Sequence, residues 1–384
     1  YRLLPITSGL HFTTIGVSFM ATRSSRTMKQ KALWINQIKG LCICLVVIYH
    51  SVITFYPHLD GLQHPLSGLL AKCWVYFNLY LAPFRMPVFF FISGYLIRRY
   101  IDEVNWRTSL DKRIWSIVWV LALWGVLQWQ ALTHLNAWLA PERELATASN
   151  AAYADSVSGF VLGMLTASTS LWYLYALVVY FTLCKLLSRW KLPMLGILAL
   201  ASIAINFLPL PWWGMNSVVR NMIYYSLGAW YGAQLMAWMK GMNLRRSWLV
   251  LLASGAVSVV LWFANVPLPL SLLSIVVIMK LFYSFEQRYA VHPNNLLNVI
   301  GSNTIAIYTT HRILIEAFSL LLIREMNAAY WPIWAELTLI LVYPFISLLV
   351  CTLVGLGARK LSTALFGDLF FSPPARLSPQ TATR

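Results

Sequence analysis

Residues 37–56 read QIKGLCICLVVIYHSVITFY, an almost continuous apolar run. The hydrocarbon core of a bilayer is about 30 Å thick, and a helix of about 20 mainly apolar residues crosses it. Lipid offers no partner to a free backbone N–H or C=O, so a segment that enters it must form its hydrogen bonds internally. We therefore expect this run to be a transmembrane α-helix.

Nine more runs of this kind follow along the chain. The chain of 384 residues is 59% hydrophobic and 11% charged, whereas a soluble domain carries roughly 25% charged residues. The sequence therefore predicts an all-α, polytopic membrane protein with about ten transmembrane helices. The further runs lie near 79–98, 113–132, 171–188, 194–211, 217–238, 247–264, 267–284, 299–322 and 336–358.

The positions of the lysines and arginines indicate the orientation. With a cytoplasmic N-terminus, 20 of them fall in cytoplasmic segments and three, Lys72, Arg143 and Arg324, in outer loops. Cytoplasmic loops carry such an excess in membrane proteins. We expect both termini in the cytoplasm. This bias also accounts for the net charge of +17 without a nucleic acid partner.

The ends of the chain read differently from the membrane region. Residues 1–27 have no strong periodicity, and Met28 opens a Met-Lys-Gln-Lys stretch just before the first span. We interpret 1–27 as a non-native or disordered extension from an early start site, the alternative being a short cytoplasmic tail. Residues 28–360 form the membrane domain and 361–384 a cytoplasmic tail. The five cysteines lack zinc-ligand spacing, so we expect neither a metal nor a disulfide.

Among the ionisable side chains inside the predicted spans, four stand out by their depth: His50, Arg85, Arg220 and His311. Such groups are costly in lipid and often mark functional sites. The helix rise of about 1.5 Å per residue puts all four in the outer half of the membrane. Because unrelated polar residues would scatter in depth, this agreement indicates one reaction or transport site.

Each of these residues also has a simpler interpretation. A lone histidine in a membrane helix often serves packing, and Arg85 can cap a helix broken by the neighbouring prolines. Arg220 can extend its side chain to the outer surface. Arg312 and Glu316 are four residues apart and can pair on one helix face.

Histidine suits acyl transfer because its pKa near 6.5 lets it take a proton from a hydroxyl and return it. Lys39 lies eleven residues before His50, or about 16 Å along the same helix. An elongated donor, with phosphates at one end and an acyl group at the other, fits that separation. From charge alone, Lys39 also reads as an ordinary cytoplasmic anchor.

Several motifs resemble the acyltransferase 3 family of integral membrane O-acyltransferases. Lys39-X10-His50 matches the family's basic-X10-His motif, with lysine where many members have arginine, which leaves the donor geometry open. The other matches are PFRMPVFFFISGYLIRR at 83–99, LWYLYAL at 171–177, RNMIYYSLGAWYGA at 220–233 and GSNTIAIYTTH at 301–311.

The resemblance implies transfer of an acyl group, often acetyl, from a cytoplasmic acyl-CoA-type donor. The acceptor would be a hydroxyl of a cell-envelope glycan or a lipid-linked acceptor, and the location the bacterial inner membrane. Acetyl-CoA would be a co-substrate, with no permanently bound cofactor.

The resemblance also suggests roles for residues of this chain. His50 and His311 would be catalytic. Donor or acceptor would contact the basic and aromatic residues Lys39, Arg85, Arg113, Trp172, Tyr175, Arg220 and Tyr308. Interfacial packing explains Trp172 and Tyr175 equally well.

Two other functions remain open at this point. Buried arginines and histidines also serve a transporter or exporter of a small anionic or sugar-containing solute. Transporters often pair interrupted helices between two halves, whereas here a proline-broken helix near 83–87 has no clear counterpart. A scaffold in an envelope complex would not need the buried charges.

Overall fold

The computed structural model describes residues 32–59, 62–143 and 150–374. The interpretation of residues 1–27 lies outside this part. The described residues form α-helices and no strand, so the all-α prediction is confirmed. The fourteen α-helices of this part are α1 (Leu33–Phe55), α2 (Pro65–Tyr80), α3 (Ala82–Asp102), α4 (Trp106–Ser109), α5 (Ser116–Leu139), α6 (Val157–Leu165), α7 (Trp172–Leu186), α8 (Lys191–Ala204), α9 (Trp213–Gly241), α10 (Leu244–Phe263), α11 (Leu268–Arg288), α12 (Leu296–Ser302), α13 (Thr304–Ala328) and α14 (Ile333–Phe366).

Seven segments of the described chain have the length and hydropathy to cross a membrane. The bent pair of α7 and α8 passes the same criteria jointly, and α9 has the length, 29 residues, but is less apolar. The multi-pass membrane fold is therefore confirmed. The seven segments are Leu33–His58, Pro65–Asp102, Trp106–Leu139, Leu244–Phe263, Leu268–Arg288, Thr304–Ala328 and Ile333–Phe366.

Three details depart from the predicted spans. The axes of α7 and α8 meet at 71°, separated by a short 3₁₀ turn. The predicted run 299–322 is broken at Asn303, whose side chain donates to the Val299 carbonyl. Helix α2 was not predicted. Hydropathy reports how apolar a stretch is, but not where a helix breaks or bends.

Both ends of α2 lie at the same end of the bundle. At its start, His64 is hydrogen-bonded to the Trp331 carbonyl, between α13 and α14. At its far end, the Tyr80 ring contacts Trp262 near the end of α10. Helix α2 therefore does not cross between the two ends but closes one of them, and α3 starts from that end.

Helix α1 is the centre of the bundle. It packs against α3, α11, α12, α13 and α14, and its side chains Ile38, Cys42, Val47 and Val52 are fully buried. The burial fixes the rotation of α1 and hence the direction in which its polar residues point.

Helices α3 and α9 approach so closely that glycine is required at the contact. A Cβ at Gly94 would lie 2.1 Å from the Tyr225 carbonyl oxygen, and one at Gly228 2.1 Å from that of Phe91. Such small residues allow backbones to approach in membrane bundles. The contact holds α3, the helix of Arg85, against α9, the helix of Arg220.

Gly94→Ala is expected to lower the free energy of unfolding by about 1–3 kcal/mol, because backbone atoms must separate to admit the methyl group. Gly196→Ala on α8, where a Cβ meets no atom within 4 Å, is the control and should stay within about 1 kcal/mol of the parent. Unfolding in detergent measures both. Equal stability of the two variants would contradict the close α3–α9 contact.

Candidate functional site

A cavity of about 680 Å³ opens at one end of the bundle. Its mouth includes His58 after α1, Asn206 after α8, Trp213 at the start of α9 and Asn265 between α10 and α11. From there it reaches inward to His50. The cavity thus joins the bundle interior to the end at which α1, α8 and α10 finish.

The cation-rich segments lie at the opposite end. Lys185, at the end of α7, donates to the carbonyls of Tyr100 and Val104, and Lys191, at the start of α8, pairs with Asp102 at 2.8 Å. These contacts mark the end at which α3 and α7 finish. The positive-inside rule predicts that this end faces the cytoplasm and that the cavity opens on the outer side.

The two predicted histidines meet. The rings of His50 on α1 and His311 on α13 have centroids 5.1 Å apart, tilted by 51°. His50 is half-buried and lines the cavity, whereas His311 is fully buried behind it. The agreement in depth along the sequence therefore corresponds to a direct ring contact.

The His311 ring is held by the backbone of its own helix. Its Nδ1 lies 2.6 Å from the Tyr308 carbonyl oxygen, so Nδ1 carries the proton and donates it, and in the neutral ring Nε2 keeps a lone pair. Nε2 is buried without a hydrogen-bond partner in the described part of the chain. His311 therefore offers an acceptor beside the His50 ring.

Arg85 lies in the wall next to the histidines and is 5% exposed. Its guanidinium stacks over the Tyr49 ring at 4.0 Å, and Nη1 donates to the Asn78 carbonyl at 3.3 Å. The Tyr49 ring is itself 5.1 Å from that of His50. Arg85 and His50 thus contact the same aromatic ring.

Arg220 lies in the wall nearer the mouth. Its Nε donates to Asn206 Oδ1 at 2.8 Å, and the side chain lines the cavity. The Asn206 contact ties α9 to the end of α8 and holds the rest of the guanidinium at the cavity.

A buried ionic network closes the other side of the cavity. Glu316 on α13 is fully buried and pairs with Arg312 at 3.0 Å and with Arg143 at 2.7 Å. Arg312 also donates to Thr54 Oγ1 and the Tyr153 hydroxyl. Arg312 and Glu316 therefore pair on one face of α13, as their four-residue spacing allows. Burial raises the pKa of Tyr153, so its hydroxyl stays protonated.

Two more predicted residues reach the cavity. Trp172 at the start of α7 lines it, as does Tyr308, whose hydroxyl donates to the Ser170 carbonyl at 2.7 Å. Ser170 in turn donates to Gln128 on α5. These bonds join α5, α7 and α13 around the histidines.

Three predicted residues do not line the cavity. The Tyr175 hydroxyl donates to the Leu165 carbonyl at the end of α6. The Arg113 guanidinium lies 4.1 Å over the Tyr100 ring, at the cation-rich end. Lys39 is on α1 toward that same end, eleven residues before His50. A role for Lys39 and Arg113 would therefore concern the donor side alone.

Sequence reasoning missed several cavity residues. Arg143 and Tyr153 come from the long loop between α5 and α7, and Trp213 and Trp262 from helix ends that read as interfacial aromatics. The depth estimate does not single them out, because Arg143, Tyr153 and Trp213 lie outside the predicted spans and Trp262 lies near the end of the span 247–264. The sequence did contain one signal for Arg143: the buried carboxylate Glu316, which binds both Arg143 and Arg312, needs a cationic partner.

Residues 32–356 match the acyltransferase domain of the acyltransferase 3 family. The chain belongs to this family. It is similar to the inner membrane protein YcfT of Escherichia coli strain K12, with 68% identity over 348 residues, which cover 91% of this chain and 98% of YcfT. A more distant relative is the nodulation protein NolL of Mesorhizobium japonicum, with 25% identity over 214 residues, 55% of this chain and 50% of NolL. No solved structure matches the chain.

Membership in the acyltransferase 3 family makes this chain a membrane-embedded acyltransferase, and the similarity to YcfT assigns it to the inner membrane. The family match spans every helix from α1 to α13 and most of α14. It therefore includes all the helices that build the cavity.

Proposed function

We propose that this acyltransferase moves an acetyl group from cytoplasmic acetyl-CoA to a hydroxyl of a cell-envelope glycan or lipid-linked acceptor at the outer side. The observation that carries this proposal is the position of His50. It lies at the inner part of the cavity, in ring contact with His311, and on the helix that carries Lys39 toward the opposite end.

The reaction needs one base between the two substrates. The His50 imidazole would take the proton of the acceptor hydroxyl as its oxygen attacks the thioester carbonyl carbon. The C–S bond then breaks, and the CoA thiolate leaves with the proton that the imidazolium returns. Acetyl-CoA and an alcohol thus give an ester and CoA, with one histidine as base and then acid.

The donor would approach from the cation-rich end. Lys39 and Arg113 offer positive charge there for the phosphates of CoA. The distance of about 16 Å from Lys39 to His50 corresponds to an extended arm between phosphates and thioester. Acetyl-CoA is a substrate in this proposal, and no permanently bound cofactor is required.

The acceptor would enter through the mouth. Three tryptophans, Trp172, Trp213 and Trp262, line the cavity, and flat aromatic rings pack well against the C–H faces of sugar rings. Asparagine side chains at the mouth, among them Asn206 and Asn265, offer donors and acceptors for hydroxyls. This lining favours a carbohydrate over an apolar acceptor.

The experiment compares envelope glycans and lipids by mass spectrometry in cells with and without this protein. The expected result is a species heavier by one acetyl group that is present only with the protein. Identical envelope profiles, under conditions in which the protein is made and inserted, would contradict the proposal.

His311→Gln tests a positioning role for the second histidine. Because His311 reaches the reaction through the His50 ring, we expect kcat to fall about 10- to 100-fold with little change in KM for acetyl-CoA. The dependence of kcat on pH should also shift, which a purely structural effect on protein amount would not produce. An unchanged kcat and pH profile would remove His311 from the reaction.

A further inference from the structure

The described residues that line the cavity carry a net positive charge. Among the described residues that line it are four arginines, Arg85, Arg143, Arg220 and Arg312, and no aspartate or glutamate. The carboxylate behind the wall, Glu316, is shared by Arg143 and Arg312. In the described part of the chain neither Arg85 nor Arg220 forms an ion pair with a side-chain carboxylate.

Each of the two remaining arginines donates few hydrogen bonds to the part of the chain that the structure describes. Arg85 donates to one backbone carbonyl and stacks on Tyr49, and Arg220 donates through Nε to Asn206. A guanidinium has five N–H donors arranged as a planar fork. Most of the fork of each residue is therefore left for a cavity occupant.

A cation in this position attracts an oxyanion. An unpaired charge inside a membrane protein is costly unless another group or water compensates it. The guanidinium fork matches the oxygens of a phosphate or carboxylate, and such bonds are among the stronger hydrogen bonds in proteins.

The two arginines lie on the acceptor side of His50. Arg85 is near the start of α3 and Arg220 near the start of α9, and both helices begin at the cavity mouth. Lys39 lies in the other direction along α1. The donor's phosphates, if bound near Lys39, are therefore not the anion these arginines face.

We propose that the acceptor carries a phosphate or carboxylate that binds Arg85 and Arg220, close to the hydroxyl acylated at His50. This inference rests on the proposed function and narrows its acceptor to an anionic saccharide or a saccharide linked to lipid through phosphate. Arg85 is one ring away from His50, so the charged group and the acylated hydroxyl belong to the same or adjacent sugar units.

The test measures binding without turnover. The protein is placed in phosphatidylcholine nanodiscs, and binding of glucuronic acid, glucose 1-phosphate and neutral glucose is followed by tryptophan fluorescence, since three tryptophans line the cavity. We expect at least one anionic sugar to bind about tenfold or more tighter than glucose. Each of Arg85→Gln and Arg220→Gln should lower that preference about threefold, because one charged hydrogen-bonding partner is lost, and the double variant should abolish it.

Two variants serve as controls. Arg246→Gln, an exposed arginine at the cation-rich end of α10, should keep the preference. His134→Gln should also keep it, because His134 is exposed on α5 and does not line the cavity. Equal binding of glucose and both anionic sugars, or a preference that survives in Arg85→Gln/Arg220→Gln, would overturn the proposal.

Two competition arms identify the source of the anion. Phosphatidylglycerol in the nanodisc should then displace the sugars from the parent protein and have no such effect in the double variant. That result would support a lipid-borne phosphate. Displacement by CoA with the same dependence on both arginines would overturn the acceptor assignment, because the site would then hold the donor.

The outcome can be separated from that of the proposed function. Acetyl transfer to neutral glycans alone would defeat the anionic acceptor and leave the acyltransferase proposal standing. Anion binding that depends on both arginines, without any acetyl transfer, would defeat the acyltransferase proposal and leave the anion site standing.

Discussion

His50→Ala is expected to reduce the rate of acetyl transfer from acetyl-CoA by about 10²- to 10⁴-fold, the usual contribution of a general base. The cavity reaches from the mouth to this ring, and the neighbouring His311 is fully buried and does not line it. Without the imidazole, the hydroxyl would have to attack while still protonated. The rate is measured with radiolabelled acetyl-CoA in membrane vesicles, normalised to the amount of folded protein.

His134 supplies the matched control for this experiment. It is an exposed histidine on α5 that does not line the cavity, so His134→Ala should transfer acetyl at the parent rate. His50→Gln keeps much of the side-chain volume, so a similar loss of rate in this variant would show that misfolding is not the cause. A His50→Ala rate above about one tenth of the parent rate, at equal protein level, would contradict the role of this residue.

Glu316→Ala is expected to lower the free energy of unfolding by about 3–5 kcal/mol, the range for breaking one side of a buried ion pair. Glu316 is fully buried and bound to Arg143 and Arg312, whose side chains are 28% and 11% exposed. Its removal leaves two largely desolvated cations facing each other. Titration with a denaturing detergent, followed by circular dichroism, measures the loss.

The exposed pair of Arg99 and Glu103 is the control for this loss. Its side chains are 76% and 68% exposed, so Glu103→Ala should change stability by less than about 1 kcal/mol. Combining Glu316→Ala with Arg312→Met should recover part of the loss, because one of the unpaired cations is then absent. A Glu316→Ala variant as stable as Glu103→Ala would show that the network contributes nothing.

The membrane constraint explains why much of the fold can be predicted from sequence. A bilayer sets the length of each crossing, so apolar runs identify α1, α5, α10, α11 and α14 to within several residues. Helix α2 was not predicted, because it closes one end of the bundle and does not cross the membrane. The breaks at Asn303 and between α7 and α8 are local changes of the backbone within apolar sequence, which hydropathy does not report.

For the site, sequence gives depth but not direction. The equal depths of His50 and His311 suggested that they meet, and only the packing of α1 against α13 brings their rings to 5.1 Å. Trp172 and Tyr175 lie on one short motif, yet the first faces the cavity and the second bonds to α6. Arg143, in a loop, reaches Glu316 across 173 residues of chain. Such contacts depend on how each helix is rotated and on the paths of the loops. The periodicity of a single sequence does not report either.

The most direct measurement supplies the two substrates from opposite sides of one membrane. Inside-out vesicles are given membrane-impermeant labelled acetyl-CoA outside, with the envelope acceptor confined to the lumen. We predict label on the lumenal acceptor with the parent protein and with His134→Ala, and a rate of labelling lower by about 10²-fold or more with His50→Ala. Transfer that persists undiminished without His50, or that requires acetyl-CoA on the lumenal side, would contradict a site that joins a donor from the Lys39 end to an acceptor in the cavity.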